Sequence, residues 1–235
     1  PHSKYLNYHD LKLRAENAKK KGAVAVIYYT TDRHAEVPAR KFKSIKSAGI
    51  PVLFLNDTKE NLQAKSLSLS LTIKINTATG HNLIAEIDNN QENTIIIGAH
   101  YDHIGWGEEG SLYVGERKIH NGADDNASGT AALLQLAKFY KKSDYQNYNY
   151  RFIAFSGEEK GLLGSNSYAN SSLLESKKIN YMINMDMIGR LDDNKNLHIS
   201  GTGSSPRWKT LMEEIKTDSI NIKSSEGGLG ASDHT

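Results

Sequence analysis

Short helical and short extended patterns alternate over the first third of the chain. Three apolar residues recur at helical spacing in HDLKLRAENAKKKG, and the final glycine is placed to end that helix. AVAVIYYT predicts a buried strand, residues 40–48 a second helix, and IPVLFLN a second strand. Apolar and polar residues alternate strictly over residues 67–75, which predicts a half-buried strand of antiparallel type. Residues 1–75 are therefore expected to form a small α/β domain.

Longer apolar runs begin near residue 76. HNLIAEI is a strand candidate, and TIIIGAH is continuously apolar, as is typical of a strand buried on both faces. YRFIAFS and INYMINMDMIG predict further strands. Between them, a helix is predicted where apolar residues recur at i, i+3, i+4 and i+7, namely Leu133, Leu136, Ala137 and Tyr140. Strands that alternate with helices favour a mixed, largely parallel sheet with helices on both faces.

Composition excludes several classes of function. The 235 residues carry a formal charge of only +2, which gives no electrostatic signal for a nucleic-acid partner. The absence of cysteine excludes disulfides, thiolate zinc sites and cysteine nucleophiles. No apolar run approaches the roughly 20 residues that span a bilayer, so no membrane span is expected, and no signal peptide is visible. Nothing in the composition indicates an oligomeric state.

Side chains of metal-ligand type follow three of the predicted strands. His100 ends TIIIGAH, Glu158 and Glu159 follow YRFIAFS, and Asp186 follows INYMINM. Because sites in such sheets form beyond the carboxyl ends of the strands, these side chains are expected at one edge. Taken singly, a histidine near an aspartate is more often part of a solvated loop, and a glutamate pair is more often surface charge. Asp186 resists that explanation, since an unpaired carboxylate in an apolar run is expensive.

Two adjacent aspartates, Asp124 and Asp125, stand just before the predicted helix in HNGADDNASGTAALL. Either could simply cap the helix, but neighbouring carboxylates repel each other unless water or a cation lies among them. The chain also ends in a further acidic and basic pair, Asp233 and His234. Imidazole and carboxylate groups suit zinc, and two zinc ions can share one bridging carboxylate. These histidine, aspartate and glutamate side chains together fit a metal site.

Five motifs carry a resemblance to a known family. GAHYDHIG, NGADDNASGTAALL, AFSGEEKGLLGSNSYA, NMDMIGR and SDHT occur in the order found in the co-catalytic di-zinc aminopeptidase family of clan MH, which they resemble. The family includes bacterial leucyl aminopeptidases and glutamate carboxypeptidases, and it implies a three-layer α/β/α zinc exopeptidase fold. Residues 76–235 would be its catalytic domain, truncated at the C-terminal end. NAKKKGAVAVIYY and IPVLFLN resemble a partial protease-associated domain over residues 1–75.

The resemblance implies a role for each matched residue. Glu158 would be the general base, and Asp102 would orient the imidazole of His100. A cis peptide bond would follow Asp125. The implied ligands of two zinc ions are His100 and Asp186 for one ion, Glu159 and His234 for the other, and Asp125 as the bridge between them.

The function that the resemblance implies is that of a zinc-dependent aminopeptidase, which removes N-terminal residues from peptides and is secreted or located in the periplasm or cell envelope. A carboxypeptidase of the same family would share all five ligands but needs cationic groups near the zinc pair, and the matched motifs hold few basic residues: Arg117, Lys118, Lys160 and Arg190. Glutaminyl cyclases share the fold but normally use one zinc. A binding module that works through residues 1–75 would leave the ligand set unexplained. Glu108 and Glu109 are candidates to border the pocket.

Overall fold

The computed structural model describes residues 11–29, 47–55, 70, 77–107, 110–113, 115–175, 178–217 and 219–235. The chain divides into two compact units, residues 1–75 and 76–235. Most of the predicted helix over residues 40–48, all but one residue of the predicted strand over 67–75, and both Glu108 and Glu109 lie outside the described residues. Among the helices that the structure describes, none has the length and apolar character needed to cross a membrane.

The described part of the first unit is a helix followed by two parallel strands. Helix α1 spans Leu11–Lys20, and strands β1, Val26–Tyr29, and β2, Val52–Leu55, pair in parallel. The hydroxyl of Tyr28 donates to the carbonyl of Leu11 at 3.0 Å, which ties the helix to β1. The prediction that all of AVAVIYYT is a buried strand was wrong at its start. Val24 precedes the first strand pair and is 85% exposed.

A four-stranded mixed sheet forms the centre of the second unit. Its strands are β3, Leu83–Ile87; β4, Asn93–His100; β5, Asn149–Phe155; and β6, Lys178–Asn184. They lie in the order β3-β5-β4-β6, in which β3 is antiparallel to β5 and the other pairs are parallel. The two inner strands, β4 and β5, are buried along almost their whole length, which the continuous apolar run TIIIGAH predicted for β4.

Helices cover both faces of this sheet. Helix α2, Gly129–Lys142, packs Leu133 against one face, and its predicted apolar stripe lies on that side. Helices α3, Leu163–Ala169, and α4, Ser172–Glu175, cover the other face, where Tyr168 packs on the odd-numbered side chains of β5. The alternation along β5 sends successive side chains to opposite cores. The predicted three-layer α/β/α architecture is thereby confirmed.

The chain leaves the sheet earlier than the apolar run INYMINMDMIG predicted. Strand β6 ends at Asn184, although the amide of Met185 still donates to the carbonyl of Gly98 at 2.9 Å. Met187 adopts a positive φ of 53°, which extended backbone does not allow. The prediction of one continuous strand was therefore wrong beyond Asn184. The turn places Asp186 at the edge of the sheet rather than within it.

A second, two-stranded sheet follows β6. Its parallel strands are β7, Asn196–Ile199, and β8, Asn221–Ser224, with a 3₁₀ turn at Thr202–Ser204 and helix α5, Arg207–Glu214, between them. The hydrophobic pattern predicts neither strand, because each has only four residues and few apolar positions. Pairing with a distant segment, rather than local pattern, gives these residues their extended form.

One buried guanidinium joins the sheet to the helices on its second face. Arg151 on β5 is 2% exposed, and its Nε donates to Oε1 of Glu86 on β3 at 2.6 Å. Its Nη1 donates to the hydroxyl of Tyr168 and to the carbonyl of Leu173. Burial by itself lowers the pKa of Arg151, but the hydrogen bonds to Tyr168 and Glu86 outweigh burial and raise the pKa above its ordinary value. Four elements thus depend on one side chain.

Replacing this guanidinium should destabilise the unit. We expect Arg151→Met to lower the free energy of unfolding by about 3 kcal/mol, because it leaves Glu86 and the Tyr168 hydroxyl without their buried partner. Urea denaturation followed by circular dichroism measures the change. The matched control is Lys178→Met, which breaks an ion pair with Glu92 that lies in solvent and should leave the midpoint nearly unchanged. Equal shifts in the two variants would contradict the role of Arg151.

Candidate metal centre

The ends of the parallel strands β4 and β6 and the turn before α2 bring one histidine and two aspartates together. His100 is the last residue of β4, and its side chain is 1% exposed. Its Nε2 lies 3.3 Å from Oδ1 of Asp186 and 3.3 Å from Oδ1 of Asp125. Nitrogen and oxygen atoms so arranged form a candidate ligand group for one metal ion. All three residues were predicted ligands.

A second group lies on the other side of Asp125. Nδ1 of His103 is 2.8 Å from Oε1 of Glu159 and 4.0 Å from Oδ2 of Asp125. The two oxygens of the Asp125 carboxylate therefore face different groups of ligand atoms. This is the placement that the predicted bridging role requires. Glu159 was predicted for this group, but His103 was not.

The second group holds buried polar atoms that lack hydrogen bonds. Nδ1 of His103 and Oε1 of Glu159 are both buried, and neither has a hydrogen-bond partner in the structure. They lie 2.8 Å apart but are not aligned for a hydrogen bond to each other. Buried polar atoms are nearly always satisfied, so an unpaired nitrogen and an unpaired oxygen that face the same space fit a shared cation.

The neighbouring Glu158 has an unusual proton affinity. Its Oε2 lies 4.0 Å from Nε2 of His100. Burial is the main cause that raises the pKa of Glu158 to about 7, and the charges of Asp186 and Asp233 add to it against the opposing effect of His100. A carboxyl group with a pKa near neutrality can both accept and return a proton. That property suits the predicted general base.

His100 itself favours the protonated state when no metal is bound. Burial alone lowers its pKa, but the hydrogen bond to Asp186 and the charges of Asp186 and Glu158 outweigh burial and raise the pKa to about 9. The same hydrogen bond to His100, together with one from Ser232, holds the pKa of Asp186 below its usual range in spite of burial. The neighbouring carboxylates thus stabilise a positive charge between them.

Asp102 has a different set of contacts from the predicted one. Its carboxylate was expected to orient His100, but Oδ1 lies 3.9 Å from Nδ1 of that histidine. The nearer contact of Nδ1 is the backbone carbonyl of Asp102, at 3.1 Å. The carboxylate instead accepts the backbone N–H of Glu158 at 3.0 Å and that of Glu159 at 3.3 Å. Asp102 therefore holds the turn that carries the glutamate pair.

The two adjacent aspartates, Asp124 and Asp125, make different contacts. Asp124 accepts the backbone N–H of Gly189 with Oδ1 at 2.8 Å, and its carbonyl accepts the hydroxyl of Ser128 at 2.6 Å. Asp125 faces the two ligand groups instead. The peptide bond between Asp125 and Asn126 is cis, as the resemblance implied. One aspartate thus secures the backbone while its neighbour presents a carboxylate to the centre.

A buried asparagine fastens this turn to the end of β6. Asn126 donates through Nδ2 to the carbonyl of Met185 at 2.9 Å, and its Oδ1 accepts the N–H groups of Gly129 and Met187. A Cβ on Gly129 would lie 2.4 Å from both Oδ1 of Asn126 and the Met185 carbonyl, so only glycine allows this approach. Sequence reasoning missed Asn126, because an asparagine beside two aspartates gives no signal of burial.

The last segment of the chain contacts the first ligand group through Ser232. Ser232 donates its hydroxyl to Oδ2 of Asp186 at 2.7 Å and accepts the amide of Asn184 at 2.8 Å. His234 is exposed and belongs to neither ligand group found among the described residues. The structure therefore brings together four of the five predicted ligands, and the charge of His234 still helps to lower the pKa of Asp186. The only sequence signal for His103 is its position in HYDH.

Comparison with known proteins places this centre in a family. Residues 82–235 match the sequence profile of peptidase family M28. Aminopeptidase YwaD of Bacillus subtilis strain 168 is 30% identical over 234 residues, which cover 94% of this chain and 47% of the relative. The solved aminopeptidase of Aneurinibacillus sp. strain AM-1 has a TM-score of 0.59 and 26% identity, over 96% of this chain and 54% of that one.

A second solved structure, BSAP, a zinc aminopeptidase from Bacillus subtilis, has a TM-score of 0.55 and 27% identity over the same shares of the two chains, 96% and 54%. The chain thus spans about half the length of these relatives. The matched range contains both ligand groups and the glutamate pair. On the extent of that match, the chain belongs to peptidase family M28.

Proposed function

We propose that the protein is a zinc-dependent aminopeptidase, which hydrolyses N-terminal residues from peptides. The observation that carries the proposal is the carboxylate of Asp125, whose two oxygens face two groups of ligand atoms. Membership of peptidase family M28 and the similarity to a zinc aminopeptidase support it. A location outside the cytoplasm, secreted or in the periplasm or cell envelope, is proposed on the resemblance alone.

Two zinc ions would be held at this centre. His100, Asp125 and Asp186 would hold one. Asp125 and Glu159 would hold the other, together with His234, the ligand that the family resemblance implies. When bound, such ions lower the pKa of a coordinated water and stabilise negative charge that develops on the substrate carbonyl. The donor set of imidazole nitrogen and carboxylate oxygen suits zinc, and the unpaired atoms of the second group are satisfied by a cation.

Glu158 would move the proton. A side-chain oxygen accepts a proton from the attacking water, whose oxygen bonds to the carbonyl carbon of the scissile peptide. When the carbon–nitrogen bond breaks, Glu158 returns the proton to the leaving amine and is regenerated. The pKa of about 7 supports both directions of transfer. Asp102 contributes by holding the backbone of Glu158 and Glu159 through two hydrogen bonds.

The charge around the centre favours a free α-amine over a free carboxylate. Four carboxylates crowd the site. The α-amine of an isolated peptide has a pKa of about 7.7–8.0, so at neutral pH it is mostly a positively charged ammonium group. Of the four basic residues in the matched motifs, Arg117 lies over the ring of Trp106 and Lys118 over that of Tyr113. Lys160 and Arg190 are exposed. We therefore favour an aminopeptidase over a carboxypeptidase of the same family.

Removing the bridging carboxylate should empty both positions. We expect Asp125→Ala to lose both zinc ions and nearly all activity, because each ligand group loses an oxygen atom. Elemental analysis of the purified protein measures the zinc content. The control is Asp193→Ala, which removes an exposed aspartate and should keep the metal. Full zinc occupancy in Asp125→Ala would refute the bridging role.

Replacing the proposed base should separate catalysis from metal binding. Glu158→Gln preserves the shape of the side chain but cannot accept a proton, so we expect kcat to fall by about a hundredfold or more with zinc content unchanged. Steady-state kinetics and elemental analysis on the same preparation test this. Turnover close to that of the unaltered protein would remove Glu158 from the mechanism. A loss of zinc would indicate that Glu158 and Glu159 have exchanged roles.

The end of the peptide that is cut distinguishes the two peptidase classes. We would offer the zinc-loaded protein a free peptide, the same peptide blocked at its amine, and the same peptide blocked at its carboxyl group. An aminopeptidase should hydrolyse the free and the carboxyl-blocked peptides only, because it must bind the α-amine. Mass spectrometry identifies the products. Release of the C-terminal residue from the amine-blocked peptide would favour a carboxypeptidase instead.

A further inference from the structure

We infer that Asn82 is a positioning residue for the general base, because its side chain fixes both ends of the turn that carries Glu158 and Glu159. This inference rests on the proposed function, in which Glu158 moves the proton. It goes beyond that function, since Asn82 lies directly before β3 and outside all five motifs that carry the family resemblance.

The side-chain amide of Asn82 bonds to the backbone on either side of the glutamate turn. Its Oδ1 accepts the backbone N–H of Ser156 at 3.1 Å, and its Nδ2 donates to the carbonyl of Gly164 at 2.8 Å. Ser156 directly follows β5, and Gly164 is the second residue of α3. One amide group thus uses an acceptor and a donor to join the strand that enters the turn to the helix that leaves it.

Gly164 allows these three residues to approach closely. A Cβ at this position would lie 2.3 Å from the carbonyl oxygen of Ser156 and 2.4 Å from Oδ1 of Asn82. The carbonyl that accepts the hydrogen bond from Nδ2 belongs to the same glycine. The close packing and the hydrogen bond therefore depend on each other, and any side chain on Gly164 would separate the two ends of the turn.

The backbone of the glutamate turn is held in an unfavourable conformation. Three of its residues have a positive φ: Gly157 at 70°, Gly161 at 100° and Leu162 at 58°. Left-handed backbone is unfavourable for a residue with a Cβ, such as Leu162, so surrounding contacts must stabilise it. Asp102 secures the middle of the turn through the two glutamate N–H groups. Asn82 secures its two ends.

The segment that carries Asn82 is itself anchored to the end of β4. The hydroxyl of Tyr101 donates to the carbonyl of His81 at 2.8 Å, and the backbone N–H of Tyr101 donates to the carbonyl of Phe155 at 3.0 Å. Tyr101 directly precedes Asp102 in the chain. Both supports of the glutamate turn, Asp102 and Asn82, are therefore connected to the same strand end.

The position of Glu158 depends on these supports. Its side chain is only 10% exposed, and its Oε2 lies 4.0 Å from Nε2 of His100. A displacement of about 1 Å in a catalytic site can lower the rate on the order of a hundredfold. The hydrogen bonds of Asn82 go to backbone atoms outside the metal centre, so its effect on the reaction is exerted through the turn.

The test combines hydrogen exchange with steady-state kinetics on the zinc-loaded protein. Asn82→Ala removes both hydrogen bonds, and Asn82→Leu removes them while nearly preserving the side-chain volume. In both variants we expect amide exchange over residues 156–164 to become about tenfold faster, because the turn opens more readily. We expect kcat to fall by about tenfold with KM and zinc content unchanged. The matched control, Asn170→Ala, removes an exposed asparagine that bonds to Asn166, and it should change neither quantity.

A double variant distinguishes positioning of the base from a general loss of structure. If Asn82 acts through Glu158, adding Asn82→Ala to Glu158→Gln should change the residual turnover little, because the group that Asn82 positions can no longer accept a proton. A full tenfold loss in that background would show that Asn82 acts by another route and would overturn the inference. Thermal unfolding identifies a temperature at which every variant is folded, and all are compared there.

The outcomes also separate this inference from the proposed function. If the unaltered protein releases N-terminal residues and both Asn82 variants keep its kcat, Asn82 is not a positioning residue, and the aminopeptidase proposal still stands. Faster exchange with unchanged kcat would likewise overturn the inference and make Asn82 a structural residue only. If the unaltered protein hydrolyses no peptide, the proposed function fails, and the inference fails with it.

Discussion

Mutual repulsion among carboxylates is the constraint on which the arrangement of the second unit depends. Asp125, Glu158, Glu159 and Asp186 meet within a few side-chain lengths at one edge of the sheet, where burial removes much of the water that would screen them. Burial is the main cause that raises the pKa of Glu158 to about 7, and the neighbouring carboxylates add to it. For His100, burial lowers the pKa, but contacts with Asp186 and Glu158 outweigh burial and raise it to about 9. A centre of this kind is stable only with positive charge inside it, whether from protons or from metal ions.

The rest of the unit keeps these charged groups from moving apart. His100 is anchored because β4 is buried on both faces, and Thr130 on α2 donates its hydroxyl to the His100 carbonyl at 2.8 Å. Asn126 joins the turn that carries Asp125 to the end of β6, and Asp102 joins the glutamate turn to the end of β4. Each ligand-bearing turn is therefore bound to a neighbouring strand end by neutral or charge-assisted hydrogen bonds. The sheet thereby holds the carboxylates in place in spite of their mutual repulsion.

Family membership and site geometry contribute different kinds of knowledge. The match to peptidase family M28 over residues 82–235 establishes kinship and fold. The geometry adds how the carboxylates of Asp125, Glu159 and Asp186 are arranged around the imidazoles of His100 and His103. His103 lies in a segment between β4 and α2 that also bears the exposed aromatic side chains Trp106 and Tyr113.

The sequence by itself determined the three-layer fold and several ligand-type residues that meet at one edge of the sheet. The continuous apolar run TIIIGAH predicted β4, YRFIAFS predicted β5, and the i, i+3, i+4, i+7 stripe predicted α2. Three ligand-type residues that the structure brings together, His100, Glu159 and Asp186, were recognised after strand ends, and their roles and that of Asp125 were implied by the family resemblance. These predictions succeed because burial on both faces and helical amphipathicity are local properties of the chain. The predicted protease-associated character of residues 1–75 stays a prediction, since much of that range lies outside the described residues.

Only the tertiary structure decided what depends on distant neighbours. It ended β6 at Asn184, paired β7 with β8, turned Asp124 toward Gly189, and gave the carboxylate of Asp102 to two backbone N–H groups. It also brought His103 to Glu159, fifty-six positions along the chain, and left His234 exposed. No local pattern carries this information, because a hydrogen bond or a ligand contact is defined by both of its partners. The identity of a ligand-type residue is read from sequence, but its partner is set by how the strand ends meet.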